Sequence, residues 1–279
     1  MNKYTIIADS SCDLTDKMKK IIGAADTIPF YINIKGVTLV DDDTLDLPLF
    51  VSNMNSCTEK MTTACASPLL WKEAMLKAGS FFAITLSSKL SGSHASALAG
   101  LQLAKEENPD IEGYVFDSLS ATAGEVLAAY KLHEFIESGL SFDEIVATMN
   151  DFLANMKTVF VLDDVSNLVR NGRMNKVVGT LVTIIGIRPL LAAEEGEIVY
   201  LDKVRGIKNI PTKLLDTVEK CGRVIDGDEL VITHCNNLPL ATQLAKQAKE
   251  RFKFGKCSIV ATRGLSSFYT GDKGVVMSF

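Results

Sequence analysis

The sequence predicts an α/β protein with two domains: an N-terminal three-layer domain with a parallel sheet, and a C-terminal α+β domain with a mixed sheet. The chain has 279 residues, of which 47% are hydrophobic, so it can form two cores. In the first half, apolar runs of strand length alternate with helical patterns, as parallel strands joined by crossover helices require. In the second half, a hairpin signal joins two neighbouring strands. We expect the domain boundary near residue 157, which gives domains 1–157 and 158–279.

The elements of the first half follow from short apolar runs and from helical spacing between them. Strands are predicted at Tyr4–Ala8, Asp26–Ile34, Phe81–Leu86 and Tyr114–Phe116, and helices at Asp13–Ile22, Pro48–Met54, from Pro68 onward, around Ala95–Ala99, at Ala121–Glu137 and at Phe142–Met156. We interpret Asp41–Asp43 as a solvated turn, because three adjacent carboxylates lack the alternate spacing of a calcium loop. Met61–Ser67 is interpreted as a loop before the helix at Pro68.

The second half contains the hairpin signal and a cationic turn. Strands are predicted at Val159–Leu162, Ile198–Val204, Leu230–His234, Ser258–Ala261 and Gly274–Phe279, and helices at Asp163–Leu168, Ile210–Cys221 and Leu238–Phe252. Glu194–Glu197 is typical of a hairpin turn, and it follows the apolar stretch Leu181–Leu191. Arg170–Arg173 predicts a tight turn in which Gly172 takes a positive φ.

Charge and composition argue against several classes of function. The chain has 29 basic and 34 acidic residues, a net charge of -5 and no large Lys/Arg cluster, so it does not resemble a nucleic-acid-binding protein. Its six cysteines have no zinc spacing, which fits the reduced thiols of a cytoplasmic protein, and we expect no metal site. The apolar run Val177–Ile187 is interrupted by glycines and is too short to span a bilayer, so no stable membrane insertion is expected.

Small polar residues follow three of the predicted strands. They are Asp9–Ser10, Ser87–Ser88 and Asp117–Ser118. The carboxyl ends of parallel strands meet at one edge of an open sheet, where ligands bind, so we expect these residues to converge. Asp9 and Asp117 could form an acid–base pair. Helix capping and turn formation are the favoured interpretation, because no histidine or metal pattern accompanies them.

The loop SSKLSGSHASA at 87–97 joins a strand to a helix and carries several hydroxyls. Free N–H groups near Gly92 and Ser93, together with the serine hydroxyls, could hold a carboxylate or phosphate. The alternative is that Ser91 or Ser93 only caps its own helix, as serine before a helix commonly does.

The motifs together resemble the DegV family of fatty-acid-binding proteins. The matching stretches are IIADSSCDL at 6–14, TACASP at 63–68, SSKLSGSHASA at 87–97, DSLSAT at 117–122, FVLDDVSNLVRNGRM at 160–174 and GIRPLLAAEEGEIVYLDKVRGIKN at 186–209. They occur in the family's order along nearly the whole chain. The resemblance implies a two-domain α/β protein that holds one long-chain fatty acid between its domains, without another cofactor. It also implies a carrier that presents the fatty acid to a fatty-acid kinase and does not itself catalyse a reaction.

The resemblance also implies which residues bind the carboxylate. The Thr of the family's TSQPS motif corresponds to Thr63, and the Ser of its LSGT motif corresponds to Ser91, both in the N-terminal domain. The Arg of its GGR turn corresponds to Arg173 in the C-terminal domain, where it would supply positive charge. The N–H of Gly92 could add a donor, and Ser93 is a further candidate.

Two departures from the family pattern bear on this site. TSQPS appears here as Thr63–Ser67 with the sequence TACAS, and the C-terminal HTGPG motif appears as YTGDK, so that Tyr269 stands in the place of the histidine. A phenol can donate a hydrogen bond to a carboxylate but carries no positive charge near neutral pH. Either Tyr269 replaces the histidine contact, or it is a tyrosine packed at the start of a strand. Without the histidine, the resemblance supports fatty-acid binding more strongly than it supports phosphorylation by a kinase.

The fatty-acid tail requires an apolar tunnel, for which the candidates are Ile28, Phe30, Leu181, Ile184, Ile185 and Leu190; each of them also suits an ordinary core. The alternative function is a phosphate- or anion-binding enzyme, such as a hydrolase, that uses the same serine-rich loops. No GxSxG, GxxxxGK[ST] or GxGxxG motif is present to support it.

Overall fold

The computed structural model describes residues 4–25, 27–174 and 186–279. Over these residues the strands form a three-stranded parallel sheet, a six-stranded mixed sheet and a three-stranded antiparallel sheet. The parallel sheet has the order β1-β5-β6, and the mixed sheet has the order β11-β10-β12-β7-β8-β9. The strands are β1 Thr5–Ala8, β2 Tyr31–Ile34, β3 Val37–Val40, β4 Thr62–Ala64, β5 Ser80–Thr85, β6 Glu112–Asp117, β7 Thr158–Val161, β8 Ile187–Glu194, β9 Glu197–Arg205, β10 Leu230–His234, β11 Cys257–Ala261 and β12 Val275–Ser278.

The helices connect these strands much as the sequence predicts. They are α1 Asp16–Ile22, α2 Leu47–Ser56, α3 Pro68–Ala78, α4 Ser93–Glu107, α5 Ala123–Glu137, α6 Phe142–Asn155, α7 Ser166–Arg170, α8 Ile210–Lys220, α9 Leu238–Arg251 and α10 Gly264–Thr270. In the described ranges, no helix has both the length and the apolarity needed to cross a membrane.

The N-terminal sheet lies between two helical layers. Successive strand residues point to opposite faces, so Phe81 packs beneath α3 and α4 with Trp71, whereas Phe82 packs beneath α5 and α6 with Leu127. The predicted three-layer arrangement with a parallel sheet is confirmed, and so is the mixed sheet of the second half.

The mixed sheet covers α5 from the other side. One face packs against α8 and α9 through residues such as Leu214 and Leu244, and the other contributes Phe160 and Val276 to the same core as α5. Residues from both sides of position 157 therefore share a hydrophobic core. The division into domains 1–157 and 158–279 stays a prediction.

The structure differs from the local predictions at Thr62–Ala64, at the start of α7 and at α10. Thr62–Ala64 is not loop but a strand that pairs antiparallel with β2, which also pairs with β3. Helix α7 begins at Ser166, because Asp163 and Asp164 precede it and the Asp164 carboxylate accepts the Ser166 N–H at 2.8 Å. Helix α10 was not expected, since its short sequence GLSSFYT has no helical periodicity.

Candidate functional site

The loop between β5 and α4 has the predicted strand–loop–helix form, with Gly92 at the N-cap of α4. The Ser91 Oγ accepts the Ser93 N–H, the first N–H of α4, at 3.2 Å, so Ser91 bonds to the start of the helix although the N-cap residue is Gly92. A serine hydroxyl that accepts one hydrogen bond still has its own hydrogen to donate. Ser91 can therefore cap α4 and also donate to a ligand, and the two interpretations of this loop are compatible.

Ser93 is engaged inside the protein. Its side chain is 1% exposed, and its Oγ donates to Asp9 Oδ2 at 2.6 Å. The Asp9 carboxylate also accepts the N–H groups of Leu86 at 2.9 Å and Ser11 at 3.2 Å. The ends of β1 and β5 are thus joined through one buried carboxylate, which supports the turn-forming interpretation of Asp9.

Asp117 has the same role at the end of β6. Its Oδ1 accepts the N–H groups of Ser88 and Leu119, each at 3.1 Å. The three polar strand ends therefore converge at one sheet edge, as predicted. Asp9 and Asp117 serve as backbone acceptors there.

Two buried carboxyl groups beneath this edge have raised pKa values. Burial raises the pKa of Asp9 to about 6, although its hydrogen bonds from Ser93, Leu86 and Ser11 act in the opposite direction. Burial, followed by the charge of Asp9, raises the pKa of Glu125 on α5 well above its ordinary value. Glu125 is 0% exposed, so the protonated form is favoured in the folded protein.

We expect Glu125→Gln to reduce the loss of stability at alkaline pH. The folded-state pKa of Glu125 lies above its unfolded value, so between the two the unfolded chain releases a proton that the folded chain retains, and the free energy of unfolding falls as pH rises. The amide cannot ionise. Urea unfolding at pH 5 and pH 8 should show a smaller pH-dependent loss of stability in the variant than in the wild type. The exposed Glu137 at the end of α5 provides the control Glu137→Gln. Equal slopes in Glu125→Gln and wild type would contradict this account.

Thr63 and Tyr269 form a hydroxyl pair. Thr63 lies on β4 opposite Ile32 of β2, Tyr269 lies near the end of α10, and the Thr63 Oγ1 and Tyr269 OH are 2.8 Å apart. Both side chains are half-buried. Tyr269 lies in a helix, so its expected position at the start of a strand is wrong. One hydrogen joins the two oxygens, and the other hydrogen of the pair remains available to a ligand.

Asp41 fixes the position of the helix that carries Tyr269. Its carboxylate accepts the N–H groups of Gly264 and Leu265 at the start of α10, both at 2.8 Å, and the Ser10 Oγ at 2.7 Å. Asp41 is 1% exposed, so the prediction of a solvated turn is wrong for this residue. The reason is that its partners at α10 lie 223 and 224 positions away in the chain.

Arg173 reaches the Ser91 loop from the second half of the chain. It follows the predicted tight turn, in which Gly172 has a φ of 76°. Its Nε donates to the Leu90 carbonyl at 3.0 Å, and its Nη1 donates to the Asn171 carbonyl. Within the described ranges no carboxylate forms an ion pair with Arg173, so its charge remains available to an anion.

An apolar cavity lies between the loops at the parallel-sheet edge and the inner face of the mixed sheet. Its surface consists almost entirely of carbon atoms. The lining residues are Ser11, Leu86, Leu90, Ser120, Ala121, Thr122, Thr158, Phe160, Leu162, Leu168, Arg173, Ala193, Ile198, Leu265, Ser266, Tyr269, Thr270 and Val276.

The residues expected to form the tail tunnel lie elsewhere or outside the described residues. Ile28 packs with Trp71 beneath α3, and Leu190 faces α8 and α9 on the opposite side of the mixed sheet. Phe30 packs behind the cavity wall with Leu86 and Leu265. Leu181, Ile184 and Ile185 lie outside the described residues.

Most residues that line the cavity were not predicted from the sequence, although the alternating residues of β7 could have indicated two of them. Phe160 and Leu162 alternate with Val159 and Val161, and alternation of this kind places every second residue on the same face of a sheet. The packing of α5 against the sheet decides which face of β7 lines the cavity. Strand periodicity alone does not identify that face.

Among the described residues, the hydrogen bonds of the His94 and His234 rings do not involve Ser91 or Thr63. The Nδ1 of His94 is 3.1 Å from Thr85 Oγ1, and the Nδ1 of His234 accepts the Asn237 N–H at 3.2 Å. In the parts of the chain that the structure describes, no group of three or more His, Cys, Asp or Glu residues is arranged to hold a metal. Of the predicted site residues, Arg173 and Tyr269 line the apolar cavity, whereas Thr63 contacts Tyr269 and Ser91 follows Leu90, whose carbonyl Arg173 binds.

Comparison with known proteins gives consistent matches along the chain. A family profile described as "Uncharacterised protein, DegV family" matches residues 3–279. A DegV domain-containing protein of Streptococcus pneumoniae is 36% identical over 279 residues, which is 99% of this chain and 98% of the relative.

Two solved structures share the fold over the full length. A DegV family protein from Ruminococcus gnavus, solved with vaccenic acid, has a TM-score of 0.92 and 31% identity and covers 100% of both chains. The Streptococcus pneumoniae Fatty Acid Kinase (Fak) B3 protein, loaded with linoleic acid, has a TM-score of 0.91 and 33% identity, covering 99% of this chain and 98% of that one.

Proposed function

Because the chain belongs to the DegV family, we propose that it binds one long-chain fatty acid in the apolar cavity and acts as a carrier, not as the catalyst. The observation that carries this proposal is the cavity itself, which is lined by carbon atoms and has Arg173 and Tyr269 among its lining residues. An amphiphile with one anionic end matches that distribution. The fatty acids in the two similar structures support the same ligand class.

The carboxylate is held at the end of the cavity where Ser91, Thr63 and Arg173 lie. The Ser91 hydroxyl donates from the loop, since its oxygen already accepts the Ser93 N–H. The Thr63–Tyr269 pair supplies one more hydrogen. The N–H of Gly92 lies in the same loop as Ser91, and Arg173 offsets the negative charge, because an unpaired buried carboxylate is costly. Ser93 is left out of this set, because its hydroxyl donates to Asp9.

The tail supplies most of the binding free energy. A fatty acid of ordinary length buries on the order of 14 methylenes, which at 0.8 kcal/mol each corresponds to a gross transfer free energy of roughly 11 kcal/mol. Ordering the tail and losing translational freedom offset a large part of it. Binding is therefore tight but reversible, as a carrier requires.

The partner that fits this carrier is a fatty-acid kinase, which would phosphorylate the bound carboxyl group. Ser91, Gly92 and Arg173 line an open surface pocket, and Arg173 lines the apolar cavity as well, so a carboxylate beside Arg173 lies near solvent. The similar Streptococcus pneumoniae structure carries the name of such a kinase system. Tyr269 stands in the place of the family's histidine, so phosphoryl transfer here has no imidazolium at that position. All six cysteines are free, which fits the cytoplasm, where such a kinase would act.

The test is a binding titration of delipidated protein with oleate, together with the Ser91→Ala variant. Losing one hydrogen bond to a charged group should weaken binding by about 10- to 100-fold. Ser88 lies in the same loop, is exposed and is not assigned to the ligand, so Ser88→Ala should bind oleate as the wild type does.

Each outcome of that titration has a defined meaning. If wild-type protein binds no fatty acid but binds phosphate or a nucleotide, the anion-binding enzyme is the better function. If Ser91→Ala and Ser88→Ala both bind as wild type does, the carboxylate is not held at this loop.

A further inference from the structure

The cavity runs along β7. Thr158, Phe160 and Leu162 line it at alternate positions, so the three residues mark its length. Leu162 lies toward α7, where Leu168 and Arg173 also line the cavity. Thr158, four residues earlier, lies about 13 Å away along the strand. The tail of a ligand whose carboxylate lies at Arg173 therefore points toward Thr158.

A chain of hydroxyl groups closes this distal end. The Ser120 Oγ lies 2.8 Å from the Thr158 Oγ1, which lies 2.9 Å from the Ser278 Oγ. The Ser278 hydroxyl donates to the Lys157 carbonyl at 2.9 Å. Each hydroxyl has one hydrogen, so Thr158 donates to Ser278, and Ser120 donates to Thr158. All three hydrogens are engaged, and the wall can face an alkyl chain without leaving a buried donor unpaired.

This wall is thin. Ser120, Thr158 and Ala193 line the apolar cavity and also line a cleft on the outer side, whose lining is both polar, with Lys213 and Glu195, and apolar. Ala193 pairs with Thr158 in the register of β7 and β8, so the two residues lie side by side. Among the described lining residues, Ser120, Thr158 and Ala193 are the ones that the apolar cavity and the outer cleft share.

We propose that Ser120, Thr158 and Ala193 form the end wall that sets the longest acyl chain this protein binds tightly. A longer acid must break the hydroxyl chain or push its methyl end into the outer cleft. Each methylene left in water lowers the affinity by about fourfold relative to a buried one. This inference rests on the proposed function, since it assigns the limit on chain length within the same cavity.

The experiment measures the affinity of delipidated protein for saturated fatty acids of increasing length, in wild type and in Ala193→Leu. The leucine side chain occupies the distal end, so the longest acid bound tightly should be shorter by about two carbons, and the affinity for the wild-type optimum should fall tenfold or more. Short acids that do not reach the wall should bind as in wild type, which also establishes that the variant is folded.

Ala154→Leu is the matched control, because Ala154 is exposed and lines only the outer cleft. A shift in Ala193→Leu but not in Ala154→Leu supports the end wall. The same preferred length in wild type and Ala193→Leu, with fatty acid bound by both, overturns this inference and leaves the proposed function intact. Absence of binding at every length in the wild type overturns the proposed function and the inference with it.

Discussion

Replacing Arg173 with glutamine is expected to weaken fatty-acid binding by roughly 10- to 150-fold, the largest effect of any single head-group substitution. A hydrogen bond to a charged group contributes about 1.5–3 kcal/mol, and the half-buried Arg173 guanidinium would also supply the positive charge beside the carboxylate. Arg173 has no described carboxylate partner, so a bound carboxylate would depend on it for charge. Isothermal titration with oleate at pH 7 and 8 measures the effect.

Two further variants show whether the effect belongs to this position. Arg170→Gln changes the net charge by the same amount. Arg170 lies on α7, is exposed and does not line the cavity, so this variant should bind oleate as the wild type does. Arg173→Lys keeps the charge and loses the Nε donor to Leu90, and we expect an intermediate affinity. Equal affinities for Arg173→Gln and Arg170→Gln would remove Arg173 from the site.

Replacing Asp41 with alanine is expected to lower the free energy of unfolding by about 3–5 kcal/mol. The substitution leaves three buried donors without an acceptor: the N–H groups of Gly264 and Leu265 and the hydroxyl of Ser10. It also removes the cap of α10, which carries Tyr269. Denaturant unfolding measures the stability, and oleate titration of the folded variant should show weaker binding, because Tyr269 is no longer held against Thr63.

Asp42→Ala provides the comparison from the adjacent position. Its carboxylate accepts only from Thr44 in a local turn, through the backbone N–H and the Oγ1, so the substitution should change stability by less than about 1 kcal/mol. Similar losses in both variants would mean that Asp41 has no special role in holding α10.

The order of strands and helices was predictable because each element is encoded locally. The apolar run Phe81–Leu86 followed by a serine-rich loop gave β5 and α4, and the turn at Gly172 followed from the need for a positive φ. Local capping chemistry also gave the role of Ser91 at the start of α4. Such features depend on neighbours within a few positions.

The parts that could not be predicted depend on contacts between distant segments. Thr63 and Tyr269 are 206 positions apart, and no local pattern brings a short strand and an unexpected helix together. From its neighbours in sequence, Asp41 is predicted to lie in a surface turn, but in the folded protein it accepts the Gly264 N–H of α10 and is buried. The resemblance to the DegV family selected Thr63, Ser91 and Arg173 by motif, and their assignment to the carboxylate stays a prediction.

The most direct test of the whole account is a crystal structure of the protein with a long-chain fatty acid brominated at its methyl end. We expect the carboxylate beside Ser91, Thr63 and Arg173, and the anomalous signal of bromine beside Thr158 and Ala193. A bromine peak next to Arg173, or one in the outer cleft with the apolar cavity empty, would contradict the proposed orientation and location of the ligand.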